Sequence, residues 1–172
     1  MARRAHTNVS AKSKSMSLEE QLGQLFRQKG VTIATAESCT GGLLAGRITD
    51  VAGSSAYLVG GVVSYSNDAK IGLLGVNHAA LEEFGAVSEE VSRQMARGAR
   101  ERLGSAVGIS ITGVAGPDGG SAEKPVGLTW IGMSDVKGDR AERFVWESDR
   151  AGNREASVQA ALKMLIEWAE GQ

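Results

Sequence analysis

Three short polar clusters in this chain carry groups that could do chemistry: Ser38-Cys39-Thr40, Tyr65-Ser66 with Lys70 just beyond, and Thr112-Gly113. A hydroxyl or thiol beside a group able to take its proton is the minimum equipment for attack on a carbonyl carbon. Ser38 and Cys39 are rival nucleophiles, the thiol being intrinsically the better. Their plain alternatives are a helix cap, for Ser38 or Thr40, and a small core residue, for Cys39. Lys70 is the better candidate base, because His78, the one imidazole of the body, sits before a helix where a cap or surface role is expected. An ordinary lysine has a pKa of about 10.4, so a neutral amine near pH 7 requires its charged form to be disfavoured by roughly 4 kcal/mol. Burial beside an apolar strand could supply that, whereas an exposed helix lysine could not. Tyr65 could relay a proton, orient a substrate, or simply hold its hydroxyl in water.

The elements around these clusters would bring them to one place. Val31 to Ala34 reads as a buried strand, and Leu43, Leu44, Arg47 and Ile48 fall at helical spacing, so the chain turns sharply near Ser38. The turn would set Ser38 beside the unpaired N–H groups of a helix start, with Gly41 and Gly42 allowing close approach. Tyr57 to Val63 and Ala106 to Thr112 read as further buried strands, ending at the other two clusters. In open α/β sheets ligands gather beyond the strand carboxyl ends, so parallel neighbours would merge the three clusters into one pocket. The glycine-rich loop from Gly113 to Gly120 could cradle a phosphate through its N–H groups, though it lacks the Gly-Lys-Ser/Thr of a P-loop. Arg150 and Arg154 sit one turn apart at the start of the last predicted helix, where cations oppose the dipole, which hints at an anion to be bound, though surface salt bridges would also account for it.

The remaining pattern completes the expected fold. Ser17-Leu18-Glu19-Glu20 is a capping box opening a helix that ends at Gly30. Short helices are expected over Ile71–Val76 and His78–Phe84, and a long one from Ser88 to about Leu103. Val126–Ser134 and Arg140–Ser148 read as a strand pair, and the stripe Val158, Ala161, Leu162, Leu165, Ile166 marks the final helix. Helices and strands mix, with a βα opening and a late hairpin, which predicts a single-domain three-layer α/β/α sandwich with a mixed sheet over residues 17–172.

Composition bounds what the domain can do. The chain has 172 residues, one cysteine and two histidines. No intrachain disulfide is possible, a reducing cytoplasm is the expected setting, and no Cys or His pair has metal-ligand spacing. No metal and no cofactor are expected, and no apolar run approaches the ~20 residues needed to span a bilayer. Residues 1–16 hold Arg3, Arg4, Lys12 and Lys14 and no acid, leaving 15 basic against 20 acidic residues for the body. An acidic body argues against nucleic acid as a partner. The basic, serine-rich leader reads as disordered, and Met16 is an expected alternative start.

Five segments together carry a family resemblance: Thr35-Ala-Glu-Ser-Cys-Thr-Gly-Gly42, Gly60-Gly-Val-Val-Ser-Tyr-Ser-Asn67 with Lys70, Gly85-Ala-Val-Ser88, Thr112-Gly-Val-Ala-Gly-Pro117 and Lys124-Pro-Val-Gly127. They resemble the CinA C-terminal domain, the nicotinamide-nucleotide amidase family long labelled competence/damage-inducible protein, over roughly residues 18–170. One departure is Ser148-Asp149-Arg150, where the family usually has Gly-Asp-Arg. Larger CinA proteins carry an additional N-terminal domain, and this chain resembles the stand-alone form. The resemblance implies hydrolysis of nicotinamide mononucleotide to nicotinic acid mononucleotide and ammonia, without a metal, by a homo-oligomer. It implies that Ser38 is the nucleophile, that Tyr65 and Lys70 support it, and that Thr112 makes a polar contact beside the carboxamide. Under that reading the N–H groups from Cys39 to Gly42 would hold the oxyanion, and Arg150 with the Gly113–Gly120 loop would meet the 5′-phosphate. The competing expectation is a nucleotide-binding or regulatory module with the same pocket and no turnover.

Overall fold

The structure, a computed structural model, describes residues 15–172, so the expectation of a disordered leader lies almost wholly outside the described residues. Helix α1 (Leu18–Lys29) opens with the capping box: Ser17 Oγ accepts from the Glu20 N–H and Glu20 reaches back to the Ser17 N–H. It is followed by β1 (Ile33–Glu37), α2 (Leu43–Thr49), β2 (Leu58–Val63), α3 (Asn67–Leu74), α4 (His78–Phe84) and α5 (Glu89–Leu103). The chain ends with β3 (Val107–Gly113), β4 (Leu128–Asp135), β5 (Gly138–Val145) and α6 (Arg150–Glu170). The five strands form one sheet in the order β2-β1-β3-β4-β5. The first three are parallel, and β4 and β5 run antiparallel to their neighbours. The expected three-layer sandwich with a mixed sheet is therefore the architecture found.

Strand alternation assigns a core to each face. Ile33, Val107, Ile109, Ile111, Ile131 and Met133 pack against α1, α2 and α6, through Leu22, Phe26, Leu44, Ile48, Val158, Leu162 and Leu165. Ala34 and Ala36 pack on the opposite face, against Leu74, Leu81, Val91, Met95 and Ala99 from α3, α4 and α5. Within the first of these layers, Arg47 on α2 is paired with both Glu19 on α1 and Glu155 on α6, which ties its three helices together.

Three boundaries differ from the sequence reading in ways that matter for chemistry. The first strand was expected over Val31–Ala34 and runs instead from Ile33 to Glu37, because Thr35, Ala36 and Glu37 lie in the middle of the sheet with every residue buried. The second strand, expected from Tyr57, runs from Leu58 to Val63 with Gly60-Gly61 inside it: a Cβ on Gly61 would collide with Thr35 Oγ1, so the glycine admits a close strand neighbour. The helix expected from Ile71 begins at Asn67, with Ser66 as its cap, which places Lys70 inside a helix rather than in a loop. Among the described residues no helix is long and apolar enough to cross a membrane.

Candidate active site

The carboxyl ends of β1, β2 and β3 lie side by side, so the three polar clusters do converge. Ser38 continues the parallel ladder, its N–H donating to Ile111 O at 2.9 Å, and Ser64 continues it on the other side, its N–H donating to Glu37 O at 2.8 Å. Alternation then points Ser38 and Thr112 to the α3–α5 face, where α3 presents Lys70. The Lys70 side chain is only 1% exposed, and its Nζ lies 3.1 Å from Ser38 Oγ and 2.8 Å from Ser64 O. Burial lowers the Lys70 pKa, with a smaller opposing pull from Cys39. A neutral amine has two N–H bonds and one lone pair. Nζ donates to Ser64 O and to Ser38 Oγ in the structure; as a neutral amine it would keep one N–H on the Ser64 carbonyl and could turn its lone pair to the Ser38 hydroxyl.

The remaining groups define a cavity of about 310 Å³ whose walls include Ser38, Cys39, Tyr65, Lys70, Thr112, Gly113 and Arg150. Thr112 is nearly fully buried, and its Oγ1 donates to Ala86 O at 2.9 Å, which leaves that oxygen as an acceptor facing the cavity. Lys124 donates to Phe84 O at 2.6 Å, so the segments before α5 and before β4 are drawn to the same place. Tyr65 is 64% exposed and its hydroxyl accepts from Arg150 Nη2 at 3.3 Å. It does not bridge Ser38 and Lys70, which meet directly; the proton relay drawn from sequence is unnecessary in this geometry. Arg150 also donates to Gly116 O at 2.7 Å, tying the glycine-rich loop to the start of α6. Cys39 is buried, and burial pushes its thiol up to about 11 from 9.0, against the weaker pull of its own N–H and of Arg154. A thiol held protonated is a poor nucleophile. His78 is exposed on α4, beside Glu82 at 3.4 Å, as a surface role requires.

The turn after Ser38 differs from the sequence reading. Neither Ser38 nor Thr40 caps α2; the cap position is Gly42, with a left-handed backbone (φ 98°) and no side chain to offer. The orphan amides of the helix start are taken from behind by Glu37, whose carboxylate accepts from Gly42 N at 3.2 Å, Leu44 N at 3.0 Å and Ala45 N at 2.9 Å. Gly41 N donates to Ser38 O at 3.0 Å, and Leu43 N to Thr40 O at 3.1 Å. The helix-start amides were expected to face substrate, and those of Gly41 and Gly42 are engaged elsewhere. Of the four N–H groups from Cys39 to Gly42, those of Cys39 and Thr40 donate to no carbonyl or carboxylate among the described residues. Thr40, Gly41 and Gly42 do not line the cavity, and the Thr40 side chain is fully buried. Arg154, paired with Arg150 in the sequence reading as an anion site, instead donates to Cys39 O at 3.1 Å and Thr40 O at 2.9 Å. Glu37 is the residue that sequence reasoning missed. Its signal was indirect: a helix opening on two glycines must find its capping acceptor somewhere else in the chain.

Comparison with known proteins identifies the family and the fold. A family model described as the CinA C-terminal domain matches residues 15–169. A CinA-like protein from Chlorobium limicola is 51% identical over 152 residues, covering 86% of this chain and 35% of the relative, so this chain spans about a third of that protein's length. The crystal structure of competence/damage inducible protein CihA from Agrobacterium tumefaciens is 44% identical, with a TM-score of 0.83 over 87% of this chain and 94% of that one. A competence-damaged protein (CinA) superfamily structure from Klebsiella pneumoniae is 29% identical, with a TM-score of 0.87 over 93% of this chain and the whole of that one.

Proposed function

The chain belongs to the CinA C-terminal domain family, and from that membership together with its buried serine–lysine pair we propose that it hydrolyses the carboxamide of nicotinamide mononucleotide, releasing ammonia. The observation that carries the reading is the Lys70 amine, sequestered from water, lowered in pKa by burial, and 3.1 Å from the Ser38 oxygen. That pairing is the nucleophile-and-base unit of acyl-transfer chemistry, with an amine in the place often held by an imidazole.

In the proposed sequence the Lys70 lone pair takes the Ser38 proton as Oγ bonds to the carboxamide carbon, and the carbonyl π electrons move onto oxygen. The Cys39 N–H, at the cavity wall and without a carbonyl or carboxylate acceptor, is the donor left to hold that charge. As the C–N bond breaks, the Lys70 ammonium returns its proton to the departing nitrogen, which leaves as ammonia. Water then attacks the acyl carbon, giving a proton to Lys70; the C–Oγ bond breaks and Ser38 recovers its hydroxyl. Thr112 Oγ1, whose proton goes to Ala86 O, accepts from the substrate amide and so favours a carboxamide over an ester. Arg150 at the cavity rim meets the 5′-phosphate.

The test is ammonia release from nicotinamide mononucleotide by wild type, Ser38→Ala and Cys39→Ala. Loss in the serine variant with retention in the cysteine variant is expected; the reverse pattern would transfer the nucleophile to the thiol. Tight binding by calorimetry without ammonia would identify a nucleotide-binding module instead.

A further inference from the structure

The turn that carries the nucleophile is gripped from two sides. On one side the Glu37 carboxylate collects the amides of Gly42, Leu44 and Ala45. On the other, a single guanidinium from α6 collects two consecutive carbonyls: Arg154 Nε donates to Cys39 O at 3.1 Å and Nη2 to Thr40 O at 2.9 Å. Among the described residues Arg154 pairs with no carboxylate, so its fork is satisfied by backbone oxygens of this turn. It lines the neighbouring cavity of about 630 Å³ and not the one that holds Ser38 and Lys70. Arg150, by contrast, lines both.

A peptide unit is planar and trans, so its C=O and N–H point in opposite directions. Holding the Cys39 carbonyl toward Arg154 therefore turns the Thr40 N–H away from Arg154. Holding the Thr40 carbonyl turns the Gly41 N–H the same way, where Ser38 O receives it at 3.0 Å. That bond in turn draws the Ser38 carbonyl into the turn and sends the Cys39 N–H outward. The two amides without a carbonyl or carboxylate acceptor are thus aimed by bonds made at the other ends of their own peptide planes.

We propose that Arg154 is a positioning residue, which through the Thr40 carbonyl and the Gly41–Ser38 bond fixes the N–H of Cys39, the one of the two residues that lines the cavity, as the oxyanion donor without touching substrate. The proposal rests on the hydrolase reading of Ser38. A donor set held before substrate arrives acts on the transition state more than on the bound ground state, so its loss lowers kcat rather than raising KM.

The experiment is steady-state ammonia release from nicotinamide mononucleotide by wild type, Arg154→Ala and Arg154→Lys, with guanidinium chloride at low millimolar concentration as a rescue arm. Arg154→Ala is expected to lose about a hundredfold in kcat, the scale of one misplaced oxyanion donor. KM should stay within about threefold, since a change confined to the transition state leaves substrate binding intact. Arg154→Lys should fall between, because one ammonium reaches one carbonyl at a time, and added guanidinium should restore part of the alanine variant's rate. If the alanine variant does not fold, the lysine variant reads the same kcat-against-KM split. A rise in KM with kcat retained would mean that Arg154 holds the substrate's anion, and unchanged kinetics would mean that the clamp is idle; either overturns the proposal. Wild type without ammonia release overturns the hydrolase reading itself, and is told apart by being visible before any variant is made.

Discussion

Ser38 and Ser66 occupy comparable places: each follows the carboxyl end of one of two neighbouring parallel strands and precedes a helix. Their fates differ. Ser66 is a helix cap, with Oγ accepting from the Ala69 N–H at 3.1 Å at the start of α3. Ser38 makes no capping bond; its oxygen meets Lys70 Nζ, and the helix that follows is capped by a carboxylate one residue earlier in the chain. A serine at a strand-to-helix junction is by default drawn into capping, since the helix start is short of acceptors. Glu37 removes that demand. The hydroxyl after β1 is thereby left free of capping, while the hydroxyl after β2 holds the helix that carries Lys70.

The largest effect in this comparison belongs to Lys70. Replacing it with Met keeps the bulk of the buried side chain and removes the base, so the rate should fall roughly 10²–10⁴-fold, the range for a general base. Wild-type activity should rise with pH as the lowered Lys70 pKa is passed, because only the neutral amine can accept the Ser38 proton. Any residual activity in Lys70→Met should lack that rise. Stability carries the same sign. Between the lowered folded pKa and the ordinary value of about 10.4, the unfolded chain binds the proton that the folded protein rejects, so stability increases with pH across that window. A pH series of urea melts on both proteins checks this: a wild-type slope no steeper than that of Lys70→Met would mean that the amine is charged where it sits.

Glu37 comes next, and it tests the comparison from the side of stability. Glu37→Ala leaves three amides at the buried start of α2 without their acceptor, at a cost of about 3 kcal/mol. Glu37→Gln retains one acceptor oxygen and should lose roughly half as much. Chemical denaturation checks both, and a cost no larger than that of an ordinary surface substitution would show that the turn holds its shape without the carboxylate.

How much of this could be read from residues alone follows from what each residue type announces. Gly41 and Gly42 beside Ser38 signalled a sharp turn, and the apolar runs ending at residues 63 and 112 signalled strands whose ends could meet. Parallel order then made the clusters converge, as a βα opening suggests. Glu37 announced nothing, because a carboxylate in a polar octapeptide reads as solvated until the strand is known to extend through it. The error of three residues at the end of β1 and the silence about Glu37 are one mistake, since placing Thr35–Glu37 in a turn hid a buried acid. Arg154 was misread for a related reason. A cation in the first turn of a helix opposes the dipole and suggests an anion, but two backbone carbonyls from a distant turn satisfy it as well. Burial of Lys70 was one of two readings open, the other being an exposed helix lysine, and the structure decides for burial, in a helix that begins four residues earlier than the apolar pattern implied.

Ser66 gives the smallest effect and the sharpest contrast. If it is a cap and nothing more, Ser66→Ala should cost about 1 kcal/mol of stability, the usual worth of such a bond. Ammonia release should be retained, because Lys70 is held by Ser64 O and by the packing around Leu74, not by the cap itself. Paired measurements of melting and turnover on Ser66→Ala and Ser38→Ala place the two serines on different axes: one variant less stable and active, the other inactive with its fold intact. A Ser66→Ala protein that lost activity in step with Lys70→Met would show that the cap also sets where the amine lies, and the division of labour between the two junctions would then be one of degree.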